Sequence, residues 1–419
     1  MTAPLSRLLA RGTAALGLGL LGLAAPALAA DPATFAGEEV TPAGNVIEAT
    51  PVGPGLYTVA VPEGDAEQYV EVKRTIPGST LWYGASAVLP KSDGSTAPLL
   101  TLESSPDGSG DSCVGFESLS DTLDQSTFST RLFTTTKKPA CQAADSLVLR
   151  TAATDVPAGR YQLVVWEEPP LEEGATLPDR SVTVPWAALP SAPPDDLVPG
   201  TTYADAPEVT AGTYAVHVEP GEPALVKVPL TWGQHAQVAA VSSTRTTAYA
   251  TVGARWLSPL GGVLGETGYS GGPTTTELTL NSTPTTAGWA TPTIAWKNRE
   301  GKAGDTPAAI AGDYYLSIDT FADKATKDGV DLTLNVGVVT DYPATAPPYA
   351  EDPPALPYVD GTSGPGSGGS DGAGGSGTAA GDAGREAGTS WTLVGGLFGA
   401  AALFAVAGVV ALGRRGRTG

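Results

Sequence analysis

The chain has 419 residues, with 44 acidic against 23 basic side chains and a formal net charge of −21 at pH 7. Residues 1–30 and 391–419 contain no acid but include Arg7, Arg11, Arg414, Arg415 and Arg417, so the part between them carries −26. Such a surface excludes nucleic acid and anionic lipid as partners of the central part, because it has no excess of cations to displace their counterions.

In chain order, Arg7 and Arg11 precede an apolar run that ends at the small-x-small triplet Ala27-Leu28-Ala29. That layout predicts a secretory signal peptide over residues 1–29, with the mature chain beginning at Ala30 or Asp31. Short runs follow, rich in Val, Tyr, Thr and Leu: YTVAV, YVEVK, SLVLR, YQLVVW, YAVHV, LVKVPL, TELTL, YYLSI and DLTLNVGVV. They mostly alternate and are separated by Pro and Gly, which predicts strands. With 53 Gly and 37 Pro, little of the chain is left for long soluble helices.

The chain also repeats itself. EATPVGPGLY at 48–57 returns as DAPEVTAGTY at 205–214, an offset of 157, and AGRYQLVV at 158–165 returns as AGDYYLSI at 311–318, an offset of 153. Two matches in the same order at nearly the same spacing predict a duplication. The expected fold is therefore all-β, with two tandem β-sandwiches over residues 30–190 and 191–342, each long enough to bury its own core.

The two cysteines, Cys113 and Cys141, are an even count in an exported chain, which predicts a disulfide. The rival reading, a catalytic thiol, needs a nearby base, and both histidines lie in the other half of the chain. The stretch GYSGGP at 268–273 fits G-x-S-x-G and differs by one letter from the motif around the nucleophile of trypsin-like peptidases. A nucleophile elbow needs a histidine after the serine, and none follows Ser270. The trypsin-like order needs an aspartate between histidine and serine, and none lies between His217 and Ser270. The order Asp205, His217, Ser270 exists formally, but the parallel α/β sheet that goes with it does not. GYSGGP is thus expected to be a Gly-rich turn between the strand near Ala248–Arg255 and TELTL at 276–280.

Catalytic, cofactor-binding and metal-ligating residues are all expected to be absent. His217 alternates within YAVHV as a strand residue, and His235 completes no metal spacing. Asp107-Gly108-Ser109-Gly110-Asp111-Ser112 alternates oxygen ligands, but Ser118 stands where a calcium loop closes with glutamate, so it reads as a polar loop. Trp82, Tyr83, Trp166, Trp186, Trp232, Trp256, Trp289 and Trp296 are either core and sheet-edge residues or, if exposed, platforms for sugar stacking.

A family resemblance is carried by Gly212-Thr213-Tyr214, Val218-Glu219-Pro220-Gly221 and Ala311-Gly312-Asp313-Tyr314-Tyr315. The first copy carries it through Gly55-Leu56-Tyr57, Val61-Pro62-Glu63-Gly64 and Ala158-Gly159-Arg160-Tyr161. This order of turns and strands resembles the bacterial pre-peptidase C-terminal domain, whose members sit beside the catalytic domains of secreted peptidases. The resemblance implies jelly-roll-like sandwiches. The acidic central strand usual in that family is not evident in either copy, so its cation site is not carried over.

Residues 343–390 read as a stalk, proline-rich and semi-rigid to 357 and then flexible and Gly/Ser-rich. Trp391 to Leu412 is a run of 22 uncharged residues, roughly 33 Å as a helix, which predicts a membrane span. The basic tail, 413–419, is then cytoplasmic. The Ala/Gly/Pro bias, with a single Met, points to a high-GC actinobacterium. The expectation is a non-enzymatic, single-pass cell-membrane protein whose ectodomain binds or assembles with an envelope protein or cell-wall polymer. The alternatives are a peptidase or peptidase accessory protein, and a carbohydrate-binding protein of the wall.

Overall fold

The computed structural model describes residues 35–357, apart from 63, 65, 89–98, 109–112, 121–127, 135–137, 155, 157–158, 180–182, 221, 247–249, 266–267, 281–285, 302–305, 322–327 and 344. The stretches expected to be a signal peptide, the Gly/Ser-rich part of the stalk, a membrane span and a basic tail lie outside the described residues, as does most of the 107–112 loop. Among the described residues no helix is long and apolar enough to cross a membrane. All of them belong to one compact unit, 1–366.

The strands of the first half are β1 (Glu38–Val40), β2 (Thr50–Val52), β3 (Gly55–Ala60), β4 (Glu67–Lys73), β5 (Thr80–Val88), β6 (Leu99–Ser105), β7 (Val114–Ser120), β8 (Phe128–Thr134), β9 (Ser146–Thr154) and β10 (Arg160–Glu168). Those of the second are β11 (Thr183–Pro185), β12 (Asp195–Leu197), β13 (Gly212–Val218), β14 (Ala224–Leu230), β15 (Gln234–Ser242), β16 (Thr251–Leu257), β17 (Gly268–Ser270), β18 (Glu277–Thr279), β19 (Ala287–Ala290), β20 (Gly312–Phe321) and β21 (Val330–Thr340). The fold is all-β, and each half is a β-sandwich.

The first half pairs its strands as β1-β3-β10-β5-β8 and β2-β4-β9-β6-β7. The second uses β12-β13-β21-β15-β19 and β14-β20-β16-β18, with a parallel bridge from Glu208 to Lys227 standing where β2 meets β4. Position for position the two orders coincide. Side chains alternating inward from each pair of sheets make one core per half. Val59, Leu81, Leu102, Leu147 and Leu163 anchor the first, and Val218, Val226, Val238, Leu316 and Val330 the second.

The repeated G-x-Y has a local cause. Tyr57 Oη donates to Gly53 O at 2.9 Å and Tyr214 Oη donates to Thr210 O at 3.1 Å, so each ring folds back over the chain that leads into its strand. A Cβ at Gly55 or Gly212 would lie 2.9 or 3.0 Å from the hydroxyl of its tyrosine. Only glycine leaves room for the returning phenol.

The second sequence match does not pair equivalent strands. AGRYQLVV enters β10, which lies between β3 and β5, whereas AGDYYLSI enters β20, which lies between β14 and β16. The true counterparts are β9 with β20 and β10 with β21. Tyr314 Oη donates to Ile310 O at 2.7 Å, four residues back, in the manner of Tyr57 and Tyr214. The hydroxyl of Tyr161 instead lies 3.0 Å from Thr151 Oγ1, so the A-G-x-Y likeness marks neither a shared bond nor a position in the repeat.

Cys113 and Cys141 are bonded, with their Cα atoms 5.5 Å apart and a sequence separation of 28. A cross-link over a loop of that length stabilises by about 3–4 kcal/mol. It ties β7 to the helix α1 (Pro139–Ala143). Arg74 holds the same corner, donating through Nε to Ala144 O at 2.8 Å and through Nη2 to Cys141 O at 2.5 Å.

The sandwiches are joined by more than a tether. Glu168, at the end of β10, accepts from Nη1 and Nη2 of Arg299 at 2.7 and 2.8 Å, and from Trp82 Nε1 at 3.0 Å. The guanidinium lies 3.9 Å from the centre of the Trp296 ring, and both charged side chains are nearly buried, 7% and 2% exposed. Beside them Trp82, Val164 and Trp166 of the first sandwich pack on Leu260 and Ile310 of the second.

Two boundaries differ from the expected ones. Residues 183–185, assigned to the first domain, form β11 and pair in parallel with β17 of the second half, Val184 opposite Tyr269. The proline-rich stretch after 342 is docked, not a free stalk. Leu171 bridges Tyr349, Tyr349 Oη donates to Glu168 Oε1 at 2.8 Å, and Trp166 Nε1 donates to Pro354 O at 2.9 Å. Leu356 packs against the apolar cluster between the sandwiches. Proline cannot extend a ladder, but its carbonyls remain acceptors, and Pro354 O serves as one here.

Candidate functional site

The sequence-level candidates for chemistry are kept apart. Ser270 is exposed on β17, and Gly271 follows with φ at 83°, so GYSGGP is a short strand running into a turn, not a turn throughout. Among the described residues neither histidine bonds Ser270. His217 Nδ1 meets Asp331 Oδ1 directly across the β13–β21 ladder at 2.7 Å, with Glu219 at 3.3 Å from Nε2. The Asp331 hydrogen bond raises the pKa of His217. His235 is fully buried on β15, its Nδ1 2.7 Å from Asp341 Oδ2, which also accepts from Thr293 Oγ1 at 2.5 Å. Asp205 is occupied in closing its own loop, accepting from the backbone N–H groups and hydroxyls of Thr201 and Thr202. Among the described residues no cluster of His, Cys, Asp and Glu is arranged to hold a metal ion.

The site that the fold does build is a notch in the second sandwich, about 330 Å³ in volume. Its origin is in the strand register. β18 pairs with β16 only from Thr251–Thr279 to Gly253–Glu277 and stops there. The edge of β16 from Ala254 to Trp256 is thus left uncovered by β18, until Leu264 N donates to Trp256 O at 2.9 Å and closes the far end. Val263, Leu264 and Gly265 form one wall, and Tyr269 with Gly288–Ala290 of β17 and β19 the other.

The lining is mixed. Gly253 stands opposite Asp319 on one side and Glu277 on the other, so these three residues share one face of the sheet. With strands about 4.8 Å apart, the two carboxylate-bearing positions are separated by roughly 10 Å of bare backbone. Arg255, two residues along, has its side chain on the same face. Trp256 and Trp289 alternate to the core side and are 4% and 7% exposed. Among the described residues the indole Nε1 of each is buried without an acceptor. A buried unpaired donor costs about 1–3 kcal/mol, so two at the lining of one notch call for an explanation.

The notch is also braced. Tyr269 Oη donates to Gly288 O at 2.9 Å, and the Tyr269 ring lies 4.7 Å from that of Trp186. A Cβ at Gly272 would come within 2.5 Å of the Trp186 ring, which accounts for the last glycine of GYSGGP. The motif builds the wall of a cleft rather than presenting a nucleophile. The tryptophans were visible in the sequence as either core or binding residues. Asp319, Glu277 and Arg255 were not singled out there, and the one local signal was a glycine inside the strand TVGARWL, which marks a bare patch or close approach.

The sequence matches no family model and no curated protein. Among solved structures, the chain is similar at 12% identity and TM-score 0.19 to the tandem CBM22-1-CBM22-2 domains of Paenibacillus barcinonensis Xyn10C, covering 68% of this chain and 91% of that one. It is similar at 8% identity and TM-score 0.18 to the ANXUR2 extracellular domain of Arabidopsis thaliana, covering 67% and 82%. For the CUB1-EGF-CUB2 domains of human MASP-1/3 the values are 8% and 0.16, covering 67% and 99%.

Proposed function

We propose that this chain is a non-enzymatic surface protein whose two sandwiches form a head for binding or assembly in the cell envelope. The leader at 1–29 exports it, and the helix at 391–412 keeps it in the cell membrane with the head outside. In this reading each half is jelly-roll-like, in keeping with the resemblance to pre-peptidase C-terminal domains in an actinobacterial protein. The observation that carries the binding role is the notch between β16, β18 and β19, a concave, mixed-polarity site on a braced scaffold. Ser270 has no catalytic part in this reading, since Asp331 and Asp341 hold the two histidines.

The test is made on cells carrying the full-length protein. Cross-linking is expected to capture an envelope protein or wall polymer on the head, and protease added outside is expected to remove the head from intact cells. Ser270→Ala is expected to change neither result. A proteolytic activity of the purified protein that Ser270→Ala abolishes would overturn the reading.

A further inference from the structure

We propose that residues 343–357 are a clasp that couples the C-terminal side of the chain to the placement of the two sandwiches. With the segment docked the halves are held together, and with it lifted they loosen about their connection. The inference goes beyond the binding role and starts from Glu168. Its Oε1 accepts from Arg299 Nη2 and Tyr349 Oη, both at 2.8 Å, and its Oε2 from Arg299 Nη1 at 2.7 Å and Trp82 Nε1 at 3.0 Å. A carboxylate offers about four lone-pair sites. This buried one is therefore filled only while the first sandwich, the second sandwich and the proline segment all meet on it. Lifting Tyr349 away leaves a site empty beside the ion pair that joins the halves.

The other contacts of the segment run the same way. Ala350 N donates to Pro170 O at 2.8 Å and Glu172 N to Pro348 O at 2.9 Å, which ties it to the connection between the halves. Trp166 Nε1 reaches Pro354 O from the first sandwich. Leu356 lies against the second, where a Cβ on Gly312 would come 2.6 Å from its Cδ1. A segment bonded to one half alone would ride with that half, whereas this one spans the seam. It is also built to come off. Among the described residues neither core draws on a residue beyond Val338, so each sandwich keeps its own packing without it. Six of its 15 residues are proline, which holds it extended before docking and lowers the entropy lost on closing. Because the contacts are shared, whatever loosens the segment loosens the seam, and the reverse holds by thermodynamic reciprocity.

The experiment uses the full-length protein. Both of its cysteines are in the disulfide, so Ile47→Cys and Val198→Cys, at exposed positions one on each half, take a pair of spin labels. Pulsed spin resonance reads the distance between the halves, and hydrogen exchange at the Ala350 and Glu172 amides reads the docking of the segment. The parent is expected to give a narrow distance distribution. Tyr349→Phe combined with Leu356→Asp is expected to broaden it and to speed exchange at both amides roughly tenfold or more, as loss of a hydrogen bond to a charged group implies. From the other side, Arg299→Lys keeps the charge but gives up the two-pronged bond. It is expected to broaden the distribution and to speed exchange at the same two amides, although neither amide bonds to the second sandwich. A distribution as narrow as the parent's while exchange shows the segment lifted overturns the inference. So does an Arg299→Lys protein whose halves loosen with exchange unchanged. So does a Tyr349→Phe, Leu356→Asp protein that exchanges like the parent or loses its strand content, because the segment is then held by other contacts or is part of a core.

Discussion

Arg299 and Glu168 are 131 positions apart in sequence and meet in a two-pronged ion pair that is almost wholly buried. Burial of this kind makes the pair costly to break from one side. Arg299→Ala leaves a desolvated carboxylate and is expected to destabilise the protein by about 3–5 kcal/mol, read from chemical denaturation. Replacing both partners with apolar side chains leaves no charge unpaired, and the remaining cost is that Trp82 Nε1 and Tyr349 Oη lose their acceptor. Nothing local announces this pair: Glu168 sits in the acidic end of YQLVVWEE and Arg299 in the polar stretch WKNRE. The repeated G-x-Y was legible for the opposite reason. Tyr57 and Tyr214 bond a carbonyl four residues back, so cause and effect fall within one short window.

At the scale of strands, period-two runs located most of the ladder, and the Pro/Gly breaks between them located its turns. Their partners were harder to read. The A-G-x-Y likeness linked β10 to β20 because both strands open with a tyrosine, although the sheets place β10 opposite β21 in the duplication. β17 was missed because it is three residues long and finds its partner, β11, in the connection between the halves. The notch escaped for a related reason: it exists where β18 stops, and the end of a strand pairing is a property of the partner. Close approach between the halves gives a further expectation. A Cβ on Gly84 of β5 would lie 1.9 Å from the carbonyl oxygen of Leu260. Gly84→Ala must push the sandwiches apart or bend β5, and is expected to destabilise by about 1–3 kcal/mol in a melting experiment, as overpacked contacts do. A mutant as stable as the parent would mean that the halves are free to separate.

For the molecule as a whole, the buried tyrosines set an alkaline limit. Burial pushes Tyr161 up to about 12 and raises Tyr83, Tyr314, Tyr315 and Tyr349 as well, the last with help from Glu168. Their phenols stay protonated in the folded protein, whereas in the unfolded chain they ionise near pH 10. The stabilisation is complete below about pH 10 and is lost as pH rises towards and through 12. The melting temperature is expected to be flat across neutral pH and to fall steeply above pH 10, and Tyr161→Phe is expected to make that fall shallower. The all-β duplication was legible in the sequence because repetition and alternation survive over hundreds of residues. The fusion of the halves was not, because it depends on which faces meet.

The docked proline segment also decides where a load on the C-terminal side enters the fold. The chain departs from it past Leu356, beside Trp166 and the apolar seam between the sandwiches, and not from the free end of β21. A pull applied beyond Pro357 therefore reaches the seam before it reaches any ladder. The bonds of Trp166 and Tyr349 take the first load, and β21, bonded along both edges in the middle of its sheet, is spared from being unzipped. Under the proposed anchoring, the proline segment gives way ahead of the second sandwich.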